Sequence, residues 1–146
     1  MAFEIEHKYL VTNDSYKKLA TAKFHIFQGY LCRVPERTVR VRIKEDKAYI
    51  TVKGKNEGAK RLEFEYEIPK EEAMTMLEIC QSPILEKVRY NVPFDGKLWE
   101  VDEFLGSKNG LTLAEIELMS EGESYAKPDF IGENVTGNPK YYNSNL

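Results

Sequence analysis

Cysteine is nearly missing from this chain of 146 residues: Cys32 and Cys80 stand far apart. Neither belongs to a CxxC pair or has a histidine at ligand spacing, which argues against a disulfide scaffold and a thiolate zinc site. Histidine is equally scarce, with His7 and His25 alone. His7 has the strand parity opposite to Glu6 and Lys8, so both histidines read as surface or packing residues rather than metal ligands. No apolar run approaches the roughly 20 residues that span a bilayer. The segment Phe3-Glu4-Ile5-Glu6-His7-Lys8 carries charge where a signal peptide needs an apolar stretch. A cytoplasmic protein without a membrane partner is expected. Net positive charge is also lacking, since 21 Lys and Arg face 24 Asp and Glu for a balance of −3. That argues against a nucleic-acid partner held by a general basic field. Neither a P-loop nor a dinucleotide glycine fingerprint occurs, so a phosphate-cradling helix terminus is not the device here.

What the chain does have is period-two alternation. Strands are expected over residues 2–11, 24–34, 37–44, 47–54, 60–68, 84–94, 97–105 and 111–119. Turn signals separate them: Pro35-Glu36, Glu45-Asp46, Gly54 to Gly58, Asp95-Gly96 and Asn109-Gly110. A short helix with Tyr16, Leu19 and Ala20 on its apolar stripe follows the first strand. A second is expected over 70–81, with Ala73, Met74, Leu77 and Cys80 at helical spacing. The tail from 120 onward is rich in Gly, Pro and Asn, and Pro139 opens a last helical turn. Residues 1–146 thus read as a single domain, mainly β with a few helices (α+β). Eight antiparallel strands closed into a barrel leave no edge to protect.

Parity sorts each strand into two faces. One face collects Glu4, Glu6 and Lys8; Arg40, Arg42 and Lys44; Lys53; Arg61, Glu63 and Glu65; Lys87 and Arg89; Glu100 and Asp102; Glu115 and Glu117. The other collects Val, Ile, Leu and aromatic residues, Tyr66, Tyr90 and Trp99 among them, which are expected to pack under helices or at a subunit contact. On a solvated face charges are usually mixed in sign. Here like charges repeat at alternate positions, as in Glu4/Glu6, Arg40/Arg42, Glu63/Glu65, Lys87/Arg89 and Glu115/Glu117. Such neighbours lie about 7 Å apart and repel unless something sits between them. A cation between carboxylates and an oxyanion chain between basic groups relieves both repulsions. A barrel with this face inward therefore suits a chelate of Mg²⁺ or Mn²⁺ with a linear phosphate chain.

At these residues the chain resembles the CYTH superfamily, the triphosphate tunnel metalloenzymes, and its compact bacterial branch in particular. Glu4-Ile5-Glu6-His7-Lys8 matches that family's ExExK signature. Then follow, in order, Gln28-Gly29-Tyr30-Leu31, Thr38-Val39-Arg40-Val41-Arg42, Thr51-Val52-Lys53, Glu63-Phe64-Glu65, Lys87-Val88-Arg89, Asp102-Glu103-Phe104 and Glu115-Ile116-Glu117. The stretch Val135 to Asn143 is similar to the end of a short bacterial member, although the carboxyl end is short for the family as a whole.

The resemblance implies an eight-stranded antiparallel tunnel barrel with external helices and a divalent-metal-dependent hydrolysis of a triphosphate, inorganic triphosphate first. Arg40, Arg42, Lys53, Lys87 and Arg89 would hold phosphate oxygens, while Glu4, Glu6, Glu115 and Glu117 would bind the metal. Glu63, Glu65 and Asp102 would orient water or the basic groups. Arg61 either joins the phosphate set or pairs with Glu63. Lys8 and Tyr30 would form a tunnel pair that positions the attacked phosphate or moves a proton. The alternatives are an adenylyl cyclase of class IV type and a non-catalytic module that binds polyphosphate or nucleotide. The apolar outer face leaves room for a homodimer.

Overall fold

The computed structural model describes residues 2–146. The alternating segments form β1 (Phe3–Val11), β2 (Ala22–Cys32), β3 (Arg37–Lys44), β4 (Lys47–Gly54), β5 (Lys60–Ile68), β6 (Gln81–Phe94), β7 (Lys97–Leu105), β8 (Thr112–Glu117) and β9 (Ile131–Asn134). Helices α1 (Tyr16–Leu19) and α2 (Lys70–Ile79) interrupt them. The strands run β5-β4-β3-β2-β6-β7-β8-β1, every pair antiparallel, and β1 returns to β5 to close an eight-stranded barrel.

Closure depends on β1 serving two partners on one edge. Phe3, Glu4 and Ile5 pair with Leu62, Arg61 and Lys60 of β5, and farther along Tyr9 and Val11 pair with β9. On its other edge Glu6 through Leu10 pair with β8. Strand β9 was not expected. Its four residues, Ile-Gly-Glu-Asn, are too few to show alternation against a Gly- and Asn-rich background. The second helix stops at Ile79 rather than 81, because Gln81 already pairs with Tyr30 at the start of β6. The turn between β6 and β7 follows its sequence: Asp95 and Gly96 have φ of 49° and 77°, as a two-residue I′ hairpin requires. At Gly29 the backbone passes so close to α2's end that an added Cβ would lie 2.9 Å from Cys80 Cβ.

Two apolar layers coat the outside of the barrel. Helix α2 lays Ala73, Met76 and Leu77 over Val41, Ile43 and Ala48 of β3 and β4. Across the barrel, Tyr9, Trp99, Val101 and Ile116 are covered by Leu118 and Phe130, with Tyr16 of α1 alongside. The tail segment, not a helix, therefore covers Trp99.

The inward face is not charged along its whole length. Leu10, Leu85, Phe104 and Leu113 continue the parity of Lys8, Lys87, Asp102 and Glu115, and they cluster with Tyr141 and Leu146. The interior is thus a charged chamber standing on an apolar floor, with the C-terminal residues built into that floor.

Candidate active site

One cavity takes in side chains from all eight barrel strands, Glu100 being the contribution of β7. Glu4, Glu6 and Lys8 enter from β1, Tyr30 from β2, and Arg40 and Arg42 from β3. Lys53 enters from β4, Arg61, Glu63 and Glu65 from β5, Lys87 and Arg89 from β6, and Glu115 and Glu117 from β8. Asp102 of β7 is buried directly behind this lining. Every strand contributes through the same rule: residues paired across an antiparallel ladder point to one side. Arg40, Thr51 and Glu65 are one such row across β3, β4 and β5; Arg89 and Asp102 are another pair, on β6 and β7.

Signs separate inside the chamber. At the acidic side Lys53 Nζ lies 3.1 Å from Glu4 Oε2 and 3.3 Å from Glu63 Oε2. Arg61 Nε is 3.7 Å from Glu4 Oε1, its cross-strand partner, so Arg61 pairs with Glu4 and not with Glu63. Burial pushes Glu4 up, yet the Lys53 ammonium and hydrogen bonding with Glu63 outweigh it and bring Glu4 down to about 2. Burial and the nearby Glu4 hold Glu63 up at about 7. Glu6 and Glu115 repeat the arrangement: burial and the Glu115 charge push Glu6 up, while Lys8 helps hold Glu115 down against its own burial. Glu117 is exposed at the rim, raised by burial of its inner part and by Glu4, Glu100 and Glu115.

At the basic side Arg89 Nε and Nη2 reach Asp102 at 2.7 and 2.9 Å, and Lys87 Nζ reaches the same carboxylate at 2.7 Å. Arg40 Nη2 donates to Thr51 Oγ1 at 3.1 Å and to Glu65 Oε2 at 3.3 Å. Burial and the charges of Arg40 and Arg89 lower Arg42 to about 9. Burial likewise brings Lys87 down to about 7, against the pull of Asp102. Arg40 Nε is buried and finds no acceptor among the described residues. An orphaned guanidinium nitrogen beside crowded cations is the signature of a missing anion.

Lys8 and Tyr30 share the cavity, but Lys8 Nζ donates to the Tyr141 carbonyl at 3.1 Å and lies 4.0 Å from Glu115. His7 faces outward, hydrogen-bonded to Tyr125, and His25 meets Glu86 at the surface. Two polar residues of the chamber escape the parity sort because they are uncharged or lie in the tail. Gln28 of β2 is fully buried, and Asn143 lines the cavity from the short 3₁₀ turn Asn143–Asn145. The signal for Gln28 was its parity with Tyr30; for Asn143 it was only the family-like stretch Val135 to Asn143, which does not say that the side chain enters the barrel.

A divalent cation fits the acidic side. Among the described residues no three carboxylates or imidazoles form a ready-made metal cluster. Instead two carboxyl pairs, Glu4/Glu63 and Glu6/Glu115, each set a raised group beside a lowered one, and a cation would relieve the repulsion between them. Mg²⁺ characteristically takes one or two carboxylates and fills its remaining positions with water and substrate phosphate.

Comparison with known proteins agrees with this geometry. The CYTH domain family model matches residues 2–144. A curated relative from Acetivibrio thermocellus, named inorganic triphosphatase, is 52% identical over 147 residues, covering 100% of this chain and 94% of its own length. Another of the same name from Nitrosomonas europaea is 30% identical over 148 residues, covering 98% and 95%. A solved inorganic triphosphatase superposes with a TM-score of 0.71 at 29% identity, covering 99% of this chain and 94% of that one.

Proposed function

Since the chain belongs to the CYTH domain family, we propose that it hydrolyses inorganic triphosphate with a divalent cation, Mg²⁺ or Mn²⁺, in the charged chamber. The observation that carries this reading is the crowd of cations around an unfilled position: Arg40 with its orphaned Nε, Arg42 lowered by its neighbours, and Lys87 and Arg89. Asp102 and Glu65 offset only part of this positive charge, and a bound anion would offset the rest. A linear chain of phosphates supplies several negative oxygens, enough to meet all four groups at once.

Each residue then has a task. Arg40, Arg42, Lys87 and Arg89 bind phosphate oxygens and offset charge as the P–O bond breaks. Lys53 lies between Glu4 and Glu63, where it reaches both the carboxylates and the chain. Glu4, Glu6, Glu115 and Glu117 would hold the cation, which when bound neutralises phosphate oxygens and makes water a better nucleophile. Asp102 fixes the Lys87 and Arg89 head groups, and Glu65 fixes Arg40. Lys8, at the junction of the acidic side and the tail, is in position to steady the attacked phosphate, with Tyr30 on the same wall.

The test offers purified protein Mg²⁺ or Mn²⁺ with inorganic triphosphate, ATP and thiamine triphosphate, and measures phosphate and cyclic AMP. Phosphate release from triphosphate that Glu115→Gln abolishes is the expected result. Cyclic AMP as the main product, or binding without turnover under either metal, overturns it.

Two further readings accompany this one. The free cysteines Cys32 and Cys80 suit the reducing cytoplasm, and no helix among the described residues is long and apolar enough to cross a membrane. Phe3, Val52, Leu62 and Phe64, each about 40% exposed, form an apolar stripe along neighbouring strands β1, β5 and β4, continued by Tyr66. A second copy of the chain is its proposed occupant, because a two-fold contact covers the stripe with itself. A monomer in light scattering at micromolar concentration removes that assignment.

A further inference from the structure

We propose that Asn143 is a substrate-binding residue, presenting its side-chain Nδ2 to the phosphate chain from a position that Gln28 and Lys87 lock. This rests on the triphosphate reading above and extends it to a part of the molecule outside the barrel strands.

The orientation of the carboxamide follows from its partners. Asn143 Oδ1 accepts from Lys87 Nζ at 2.9 Å and from Gln28 Nε2 at 2.9 Å. Gln28 has no freedom to turn over, because its Oε1 accepts from Arg42 Nε at 3.1 Å. A guanidinium can only donate, so Gln28 turns its Nε2 toward Asn143 and the Asn143 atom facing Gln28 and Lys87 is the oxygen. The other corner of the carboxamide, Nδ2, carries two N–H groups with no protein acceptor among the described residues, on a side chain that lines the cavity. A donor left over beside four phosphate-binding cations has one evident acceptor, a phosphate oxygen.

The residue is held as a wall, not a flap. Tyr141 and Leu146 on either side pack into the apolar floor with Leu85, Phe104 and Leu113. Leu146 N donates to the Asn143 carbonyl, and Asn145 Nδ2 ties back to the Pro139 carbonyl. The network runs without a break from Arg42 through Gln28, Asn143 and Lys87 to Asp102 and Arg89. A neutral donor at this point adds a hydrogen bond without adding a fifth positive charge where like charges already crowd.

Two substitutions separate a binding role from a purely supporting one. Asn143→Asp keeps the oxygen that Lys87 and Gln28 need, turns the donor into an acceptor and adds a negative charge there. Asn143→Ala removes both. Binding of inorganic triphosphate in metal-free buffer, by calorimetry, is expected to weaken about tenfold in Asn143→Ala and roughly a hundredfold in Asn143→Asp. The reverse order, with Asn143→Asp near wild type and Asn143→Ala worse, means that Asn143 only props Lys87 and overturns the proposal. Wild-type protein that binds no triphosphate removes the broader reading and this one with it, an outcome distinct from either order among the variants. A measurement on unmodified protein stands beside these: the Asn143 side-chain amide resonance is expected to move as triphosphate is added. An Asn143 signal that stays still while the Arg40 Nε signal shifts overturns the proposal.

Discussion

Asp102 Oδ2 stands 2.7 Å from Lys87 Nζ, and both residues are 1% exposed. The same carboxylate also takes the fork of Arg89 through Nε and Nη2. One buried anion therefore aims two cations, which makes it the keystone of the basic side. Removing one partner of a buried ion pair leaves uncompensated charge, whereas losing a half-exposed pair costs little. Asp102→Asn is expected to destabilise the protein by about 3–5 kcal/mol in urea denaturation. Glu100→Gln, on the half-buried contact to Arg89, is expected to cost about 1 kcal/mol or less. Equal costs would contradict the arrangement.

The carboxyl pair Glu4/Glu63 makes stability depend on pH in a defined direction. Glu63 titrates at about 7 in the folded chain against 4.5 when unfolded. Between those values the folded form holds more protons, so this contribution is present at low pH and is lost as pH rises through 7. Lys87 acts in a different window: with a folded value of about 7 against 10.5, it favours folding progressively as pH rises from 7 toward 10.5. Thermal melting of metal-free protein at pH 5 and pH 7 should show wild type losing more stability over that interval than Glu63→Gln. Identical slopes would refute the assignment.

Glu6 faces Glu115 with burial and like charge both against it. Without metal, Glu6→Gln mimics the neutral carboxyl that these forces favour and is expected to leave stability within about 1 kcal/mol. In the presence of Mg²⁺ or Mn²⁺ the same change should lower triphosphate turnover by at least roughly a hundredfold. A variant that is equally stable yet far less active is the outcome to look for, and one that keeps full activity would remove Glu6 from the metal site.

Metal binding itself should release protons. Glu6 and Glu63 are both raised, and a cation held by these carboxyl pairs would favour their ionised forms. Calorimetric titration with Mn²⁺ at pH 6, in buffers of different ionisation enthalpy, is expected to show about one to two protons released per site. Affinity should fall as pH drops below about 7. A proton count of zero would mean that the cation binds elsewhere.

The apolar floor is open to a plain test. Phe104 is 1% exposed, and Lys87 Nζ lies 5.3 Å from its ring centroid. Phe104→Ala is expected to cost about 3–5 kcal/mol through the cavity it leaves. Met119→Ala, at 91% exposure, should stay within about 0.5 kcal/mol. Comparable losses at the two positions would mean that Phe104 carries no packing weight.

The alternation of β3, β4, β5 and β7 placed those strands at their observed bounds, because a strand with one charged and one apolar face repeats strictly every two residues. The same parity brought Glu4, Arg40, Lys53, Lys87 and Glu115 into one chamber. Parity failed where the inward face stops being charged: Leu85 and Leu113 look like any core leucine, and only barrel closure makes them a floor. Parity placed Arg61 in the chamber but not its partner Glu4, which lies on a strand far away in sequence and is fixed by the β1–β5 register.

Local pattern, then, decided which residues form strands and which sign each face carries, because alternation and like-charge repeats are properties of neighbours in the chain. Long-range pairing decided the rest: which strand closes the barrel, where the acidic and basic sides divide, and that Asn143 enters the chamber beside Lys87. Those facts depend on contacts between residues more than fifty positions apart, and no period along the chain records them.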